Sequence, residues 1–223
     1  MVSVIIPAYN EEDTILEVVN TARQHSWISE TIVVDDGSKD STAKKVRETA
    51  SKLIRLPYNQ GKATAMDHGV ANADNEIICF LDGDIKNLTQ ANLTELLEPL
   101  VKGDYEMFVG ICGRQQSKLN SLLIFLPTLG GQRVITKELW KRIPSTYKQD
   151  FQIEVALNYF ARVAGKKMGT TVLNNLDHVV KEKKYGLIRG FFKRVYMIID
   201  VLKVGLILYG YETLKRKVSQ FFY

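Results

Sequence analysis

Phe80-Leu81-Asp82-Gly83-Asp84 sets two carboxylates one residue apart at the end of an apolar run, Glu76 to Leu81, that reads as a buried strand. The intervening glycine lets the backbone come close to a ligand. Hard oxygen donors at this spacing suit Mg2+ or Mn2+ bridging a diphosphate. Asp-Gly also makes ordinary surface turns, so the flanking sequence has to decide between the two readings.

Upstream, apolar runs alternate with helical segments: Val2 to Ile6, Glu12 to Gln24, Thr31 to Asp35, Ser41 to Leu53, and a helix from Gly61 to Ala73. Downstream, Asn92 to Val101 leads into Tyr105 to Ile111. This βαβα rhythm predicts an α/β fold with a single, mostly parallel, Rossmann-like sheet flanked by helices. Ligands in such sheets bind beyond the carboxyl ends of the strands. Three such ends, Pro7 to Glu12, Asp35 to Ser38 and Asp82 to Asp84, are therefore expected to converge. The second half is less regular. It holds an apolar stretch Leu122 to Leu129, a Gly130-Gly131 turn, a short helix from Lys137, a longer helix Phe151 to Ala164 and a strand near Thr170 to Leu173.

Each strand end carries residues with chemistry to offer. In Val33-Val34-Asp35-Asp36-Gly37-Ser38-Lys39-Asp40-Ser41-Thr42, capping of the next helix accounts for Asp40 and Ser41. It leaves Asp36 without a structural task and able to accept from a base N–H. In Pro7-Ala8-Tyr9-Asn10-Glu11-Glu12, Tyr9 can lie against a base and Glu11 can bind ribose hydroxyls; capping by Asn10 is the competing structural role. Asn59-Gln60-Gly61-Lys62-Ala63 lacks the upstream glycine of a Walker A loop, because Leu56 and Pro57 stand there, which disfavours a P-loop ATPase. No GxGxxG follows the first strand, so a dinucleotide oxidoreductase has little support. Lys62 places a positive charge at the start of a helix.

Together PAYNEE (7–12), VVDDGSKDST (33–42), NQGKATAMDHG (59–69) and FLDGD (80–84), in this order and at these separations, resemble the inverting family 2 glycosyltransferases of the GT-A fold. The likeness is close over residues 2 to 84 and continues more weakly to about 180, through Gly130-Gly131-Gln132-Arg133 and Gln149-Asp150. It implies transfer of a sugar from a UDP- or GDP-linked donor with a divalent metal, Mg2+ or Mn2+. Pro7, Ala8, Tyr9, Glu11, Asp36, Lys62, Asp82 and Gly83 then hold the nucleotide sugar. Asp84, with Asp82, holds the metal, and a late histidine, His178, completes its shell. Asp150 matches the catalytic base, beside Gln149 where many relatives carry Glu; capping of the Phe151 helix is its structural alternative. The implied chemistry is coherent, since an attacking hydroxyl needs a carboxylate to take its proton.

Charge is unevenly distributed along the 223 residues. Residues 1–112 carry 10 Lys+Arg against 18 Asp+Glu, and residues 113–223 carry 20 against 7. The basic half suits phosphates, nucleic acid or an anionic membrane surface, and charge alone does not choose among them. From Leu187 to Tyr211 apolar residues dominate, but the longest uncharged run, Val204 to Tyr211, is too short to span a bilayer. Arg189, Lys193, Tyr196, Asp200 and Lys203 fall on one helical stripe, which suits either a membrane interface or packing against the protein or a second subunit. The expected organisation is a catalytic domain over 1–184 and a basic amphipathic helical tail over 185–223. A lipid-linked acceptor, a cytoplasmic location peripheral to the membrane, a homodimer contact through the tail and no nucleic-acid partner complete the expectations. Cys79 and Cys112, without paired spacing, read as buried reduced thiols. A soluble small acceptor, a nucleotidyltransferase and a non-catalytic scaffold of the same fold are the alternatives; the acidic loop after the first strand argues against the nucleotidyltransferase.

Overall fold

The computed structural model describes residues 1–112, 132–149, 152–178, 202–212 and 214. Seven strands form one sheet in the order β3-β2-β1-β4-β7-β6-β8. β1 (Val2–Ala8), β2 (Ile28–Asp35), β3 (Lys52–Arg55) and β4 (Ile77–Phe80) run parallel. β7 (Gln132–Thr136) is antiparallel to both its neighbours, β4 and β6 (Met107–Cys112), and β8 (Met168–Leu173) is parallel to β6. The expected mostly parallel sheet is present, with one reversed strand, β7, between β4 and β6.

Alternation along β1 explains the layering, because successive side chains of a strand point to opposite faces. Val2, Val4 and Ile6 pack with α1 (Ile15–Arg23) and α4 (Gln90–Val101), while Ile5 packs with α3 (Lys62–Ala71), α5 (Lys137–Lys141) and α6 (Gln152–Val163). Both faces are covered, so β1 reads as a continuous hydrophobic run. Phe80 and Trp140, with ring centroids 5.1 Å apart, anchor α5 to β4. Cys79 and Cys112 are buried, as expected, and burial pushes the Cys79 thiol up from its ordinary pKa.

Two strands depart from the sequence expectation. The segment Ser41 to Leu53 does not continue as one helix. α2 (Thr42–Arg47) ends after six residues, and Lys52–Arg55 then extends along the edge of β2, pairing Ile32 with Lys52 and Asp35 with Arg55. Its charged ends, Lys52 and Arg55, belong to an edge strand with one side open to water. β7 was not anticipated as a strand at all. It begins Gln132-Arg133, yet pairing with β4 and β6 buries both residues.

A small second sheet pairs β5 (Ile85–Lys86) with β9 (Asp177–His178), Ile85 opposite His178. Of the tail, residues 202–212 are helical. Val204 and Leu208 bury in the core beside α6, and Tyr209 meets Tyr159 edge to face at 5.1 Å, while Leu202, Leu206 and Ile207 are exposed. Leu122 to Leu129, Gly130-Gly131, Asp150 and the charged stripe from Arg189 to Asp200 lie outside the described residues.

Candidate active site

The parallel register brings the three acidic turns to one rim. Ala8 lies opposite Asp35, and Ile5 opposite Phe80. The Asp36 N–H donates to the Ala8 carbonyl at 2.8 Å, and the Leu81 N–H to the Ile5 carbonyl at 3.1 Å. The first two turns are then cross-linked side chain to backbone. Asn10, at φ 54°, donates its N–H to Ser38 Oγ at 2.9 Å and accepts from the Lys39 N–H at 2.9 Å. The Glu11 N–H donates to Thr42 Oγ1 at 2.8 Å, and the Glu12 N–H to Asp40 Oδ2 at 3.2 Å. Burial alone would raise the Asp40 carboxyl, but hydrogen bonds from Thr42 and Glu12 outweigh it and hold its pKa below the ordinary value.

Asn10 is therefore not a helix cap. The N-cap of α1 is Thr14, whose hydroxyl instead donates to the Gly83 carbonyl at 2.7 Å and ties α1 to the third turn. Gly83 lets that turn close on the first. A Cβ at this position would come within 3.3 Å of Glu11 Cγ and 3.4 Å of the Pro7 carbonyl oxygen. Pro7, Ala8, Glu11 and Gly83 are thus brought together.

Asp36 has the structural task that the sequence reading denied it. One carboxylate oxygen accepts from the Gln60 N–H at 2.7 Å and the other from the Gly61 N–H at 2.9 Å, which fixes the loop that opens α3. Beside this loop lies a cleft of about 710 Å3, lined among others by Tyr9, Lys39, Arg55, Tyr58 and Asn59. The Arg55 guanidinium is held in place by Asp35, Nε to Oδ2 at 3.1 Å, and by the Ser38 carbonyl at 3.1 Å. Aromatic rings and a fixed cation around an open cleft suit a flat, polar heterocycle. Arg55 and Tyr58 escaped the sequence reading because β3 did; a charged residue ending an apolar pair, followed by Pro57, was the available signal.

The third turn faces α3, β7 and α6. Asp82 accepts from Gln132 Nε2 at 3.1 Å, while its own N–H donates to Gln132 Oε1 at 3.0 Å. Lys62 Nζ lies 2.6 Å from Asp82 Oδ1 and 3.5 Å from Glu154 Oε1. Burial acts to lower the Lys62 ammonium, but the charges of Asp82, Glu154 and Asp84 raise it above its ordinary value, so it stays protonated. Arg133, 1% exposed, is shifted down by burial and partly restored by Glu154 and Asp82.

Glu154, Gln132 and Arg133 were not among the expected site residues. Glu154 showed only as an acid in the first turn of α6, flanked by the buried Ile153 and Val155, whereas Gln132 and Arg133 lay in the Gly130-Gly131-Gln132-Arg133 segment that carries the family likeness without being assigned a role. The β5–β9 pairing sets the backbone of His178 opposite Ile85, next in chain to Asp84.

Asp82 and Asp84 carry hard oxygens of the kind that Mg2+ or Mn2+ takes, and such ions characteristically complete their shell with water and phosphate oxygens. The Lys62 ammonium seated on Asp82 and facing Glu154 shows that this acid cluster is built to hold positive charge. Among the described residues, no three His, Cys, Asp or Glu side chains form a ready-made metal cluster. Two carboxylates one residue apart fit a site that a metal shares with water and a phosphorylated ligand.

Comparison with known proteins agrees with this architecture. The chain is 27% identical over 190 residues to glucosyl-3-phosphoglycerate synthase of Mycolicibacterium smegmatis, covering 70% of this chain and 62% of that protein. It is 35% identical over 96 residues to undecaprenyl-phosphate 4-deoxy-4-formamido-L-arabinose transferase of Proteus mirabilis, covering 39% of this chain and 29% of that protein. The chain thus spans less than two thirds of the length of either relative. The crystal structure of glucosyl-3-phosphoglycerate synthase from Mycobacterium tuberculosis, in complex with Mn2+, UDP and glucosyl-3-phosphoglycerate, superposes with a TM-score of 0.76. That match covers 92% of this chain and 78% of the other at 23% identity, a likeness of fold. The sequence model of glycosyl transferase family 2 matches residues 3–153. With that span covering the β1, β2 and β4 turns and reaching α6, the chain belongs to glycosyl transferase family 2.

Proposed function

We propose that the protein is a metal-dependent glycosyltransferase that moves a sugar from a UDP- or GDP-linked donor to an acceptor hydroxyl or phosphate with inversion at the anomeric carbon. The observation that carries this reading is the meeting of Asp82, Asp84, Lys62 and Glu154 at the same rim as the Tyr9–Arg55–Tyr58 cleft. The base lies in the cleft against Tyr9, with Asp36 and the loop it fixes on the inner side, and Glu11 reaches the ribose. Lys62 faces the diphosphate. Asp84, supported by Asp82 and His178, holds Mg2+ or Mn2+, which when bound neutralises charge on the departing diphosphate. Asp150 takes the proton of the attacking acceptor hydroxyl. The relative from Mycobacterium tuberculosis, seen with Mn2+ and UDP, supports the donor and metal assignments.

For the acceptor we favour a lipid-linked phosphate or glycerolipid reached at an anionic membrane surface on the cytoplasmic side. The basic C-terminal half and the exposed Leu202, Leu206 and Ile207 support peripheral contact through the 185–223 tail; within its described stretch, Val204 and Leu208 are buried against the catalytic unit. Among the described residues no helix is long and apolar enough to cross a membrane. The named acceptor of the Proteus mirabilis relative, undecaprenyl phosphate, belongs to this class.

A donor screen measuring UDP or GDP release with Mn2+ or Mg2+ tests the central reading. Turnover with one donor, lost in Asp84→Asn and in Asp150→Asn, is expected. No metal-dependent binding or turnover with any donor would sink it, and full activity in Asp150→Asn would sink the base assignment alone. Co-sedimentation with anionic liposomes, reduced on deleting residues 187–223, tests the membrane reading; no sedimentation of the full chain would end it.

A further inference from the structure

Lys62 sits where a divalent cation would have to share its partners. Its ammonium is 2.6 Å from Asp82 Oδ1 and 3.5 Å from Glu154 Oε1, and Asp84 lies close enough to act on its charge. The other Asp82 oxygen accepts from Gln132, so both oxygens of this carboxylate already have donors. Behind the cluster, Arg133 is buried within reach of the charges of Glu154 and Asp82. Three carboxylates, Asp82, Asp84 and Glu154, thus act on the Lys62 ammonium, which already occupies an Asp82 oxygen that a divalent ion would use. A divalent ion added alone must compete with an ammonium held on one of its candidate ligands. Added with a nucleoside diphosphate, the same ion brings phosphate oxygens that carry more than enough negative charge for both cations.

We infer that Lys62 is a charge gate that makes divalent-metal binding depend on the nucleotide diphosphate, by neutralising Asp82 and Glu154 until the diphosphate offers its ammonium a better partner. The inference rests on the donor and metal assignment proposed above and adds an order to it: nucleotide and metal enter together. The geometry is specific to a long, flexible cation. Lys62 opens α3 from the loop that Asp36 clamps, so its backbone is fixed while its four-carbon stem can turn from the acid cluster toward the rim. In this scheme Lys62 is a positioning residue for metal and diphosphate and makes no bond with the sugar.

The test is Mn2+ binding to the full chain, followed by electron paramagnetic resonance and calorimetry, without nucleotide and then with UDP or with GDP. Wild type is expected to bind Mn2+ weakly alone and far more tightly with one of the two nucleotides. Lys62→Met keeps the apolar stem and removes the charge. It is expected to bind Mn2+ alone about tenfold more tightly than wild type and to lose most of the enhancement by nucleotide. Lys62→Arg keeps the charge and is expected to retain the wild-type pattern. Circular dichroism and thermal unfolding check that each variant is folded, and Lys62→Ala stands in if the methionine variant is not. Equal or weaker Mn2+ binding in the neutral variants, with nucleotide enhancement intact, would overturn the gate and leave the proposed function standing. No Mn2+ binding by any variant with either nucleotide would overturn both.

Discussion

Thr14 Oγ1 donates a 2.7 Å hydrogen bond to the Gly83 carbonyl in the protein interior, across 69 positions of sequence. This bond joins the N-terminus of α1 to the turn that carries Asp82 and Asp84. Thr14→Val preserves shape but withdraws the donor from a buried carbonyl, which should lower stability by about 1–3 kcal/mol in urea unfolding. Thr14→Ser retains the hydroxyl and should recover most of the loss. Nucleotide-dependent Mn2+ binding should weaken in the valine variant, because the two aspartates are no longer held at a fixed distance from α1.

Asp36 makes a similar argument for the second turn. In the structure each Asp36 oxygen takes one N–H, so Asp36→Asn replaces one of the two acceptors by an NH2 donor that faces the Gln60 or the Gly61 N–H. Hydrogen exchange at Gln60 and Gly61 should accelerate, with a stability loss of about 1–3 kcal/mol. Unchanged protection at both amides would show that the loop holds without this clamp.

Gly37 and Gly103 separate steric from conformational cost. Both have positive φ, +73° and +80°. A Cβ on Gly37 would lie 2.6 Å from the backbone of Tyr58, whereas nothing lies within 4 Å of one on Gly103. Gly103→Ala should cost about 1 kcal/mol, the left-handed penalty alone. Gly37→Ala should cost about 3 kcal/mol or more and displace Tyr58 from the cleft. Thermal unfolding of the two variants side by side checks the difference.

Asp67 predicts a pH dependence. Burial raises its carboxyl, but hydrogen bonds from Lys148 and Trp140, both at 2.7 Å, with the Lys148 charge, bring it below the ordinary value of 3.8. A carboxylate with a lowered folded-state pKa stabilises the fold above the unfolded-state value and loses that contribution as pH falls through the folded-state value. Asp67→Asn should therefore lower stability at pH 7 and flatten the fall in stability below pH 3.8, as measured by unfolding midpoints across an acid series. Half of the Asp67 side chain is exposed, so the effect should be modest and should shrink with salt.

The parallel core was legible because strands buried on both faces, such as Val2 to Ala8 and Thr31 to Asp35, need continuous apolar sequence, and their turns need Gly, Asn and Asp. β3 and β7 were not. Leu53-Ile54 is too short an apolar pair to separate from the preceding helix, and Gln132-Arg133 looks like surface until β4 and β6 supply its partners. The same reason hid Arg55, Glu154 and Arg133. A charged side chain inside an apolar pattern declares a site only when its counter-charge is known, and those counter-charges lie 20 or more residues away.

From sequence alone came the single α/β core, the membership of Asp82 and Asp84 in a carboxylate pair at a strand end, and the convergence of three acidic turns. These follow from local periodicity and from the rule that parallel strands deliver their carboxyl ends to one edge. Tertiary structure alone decided what those carboxylates face. It turned Asp36 inward to clamp the α3 loop and set Thr14 on the Gly83 carbonyl. It also brought Lys62 onto Asp82 with Glu154 behind, because the charge balance of a site depends on distances between segments that sequence order does not encode.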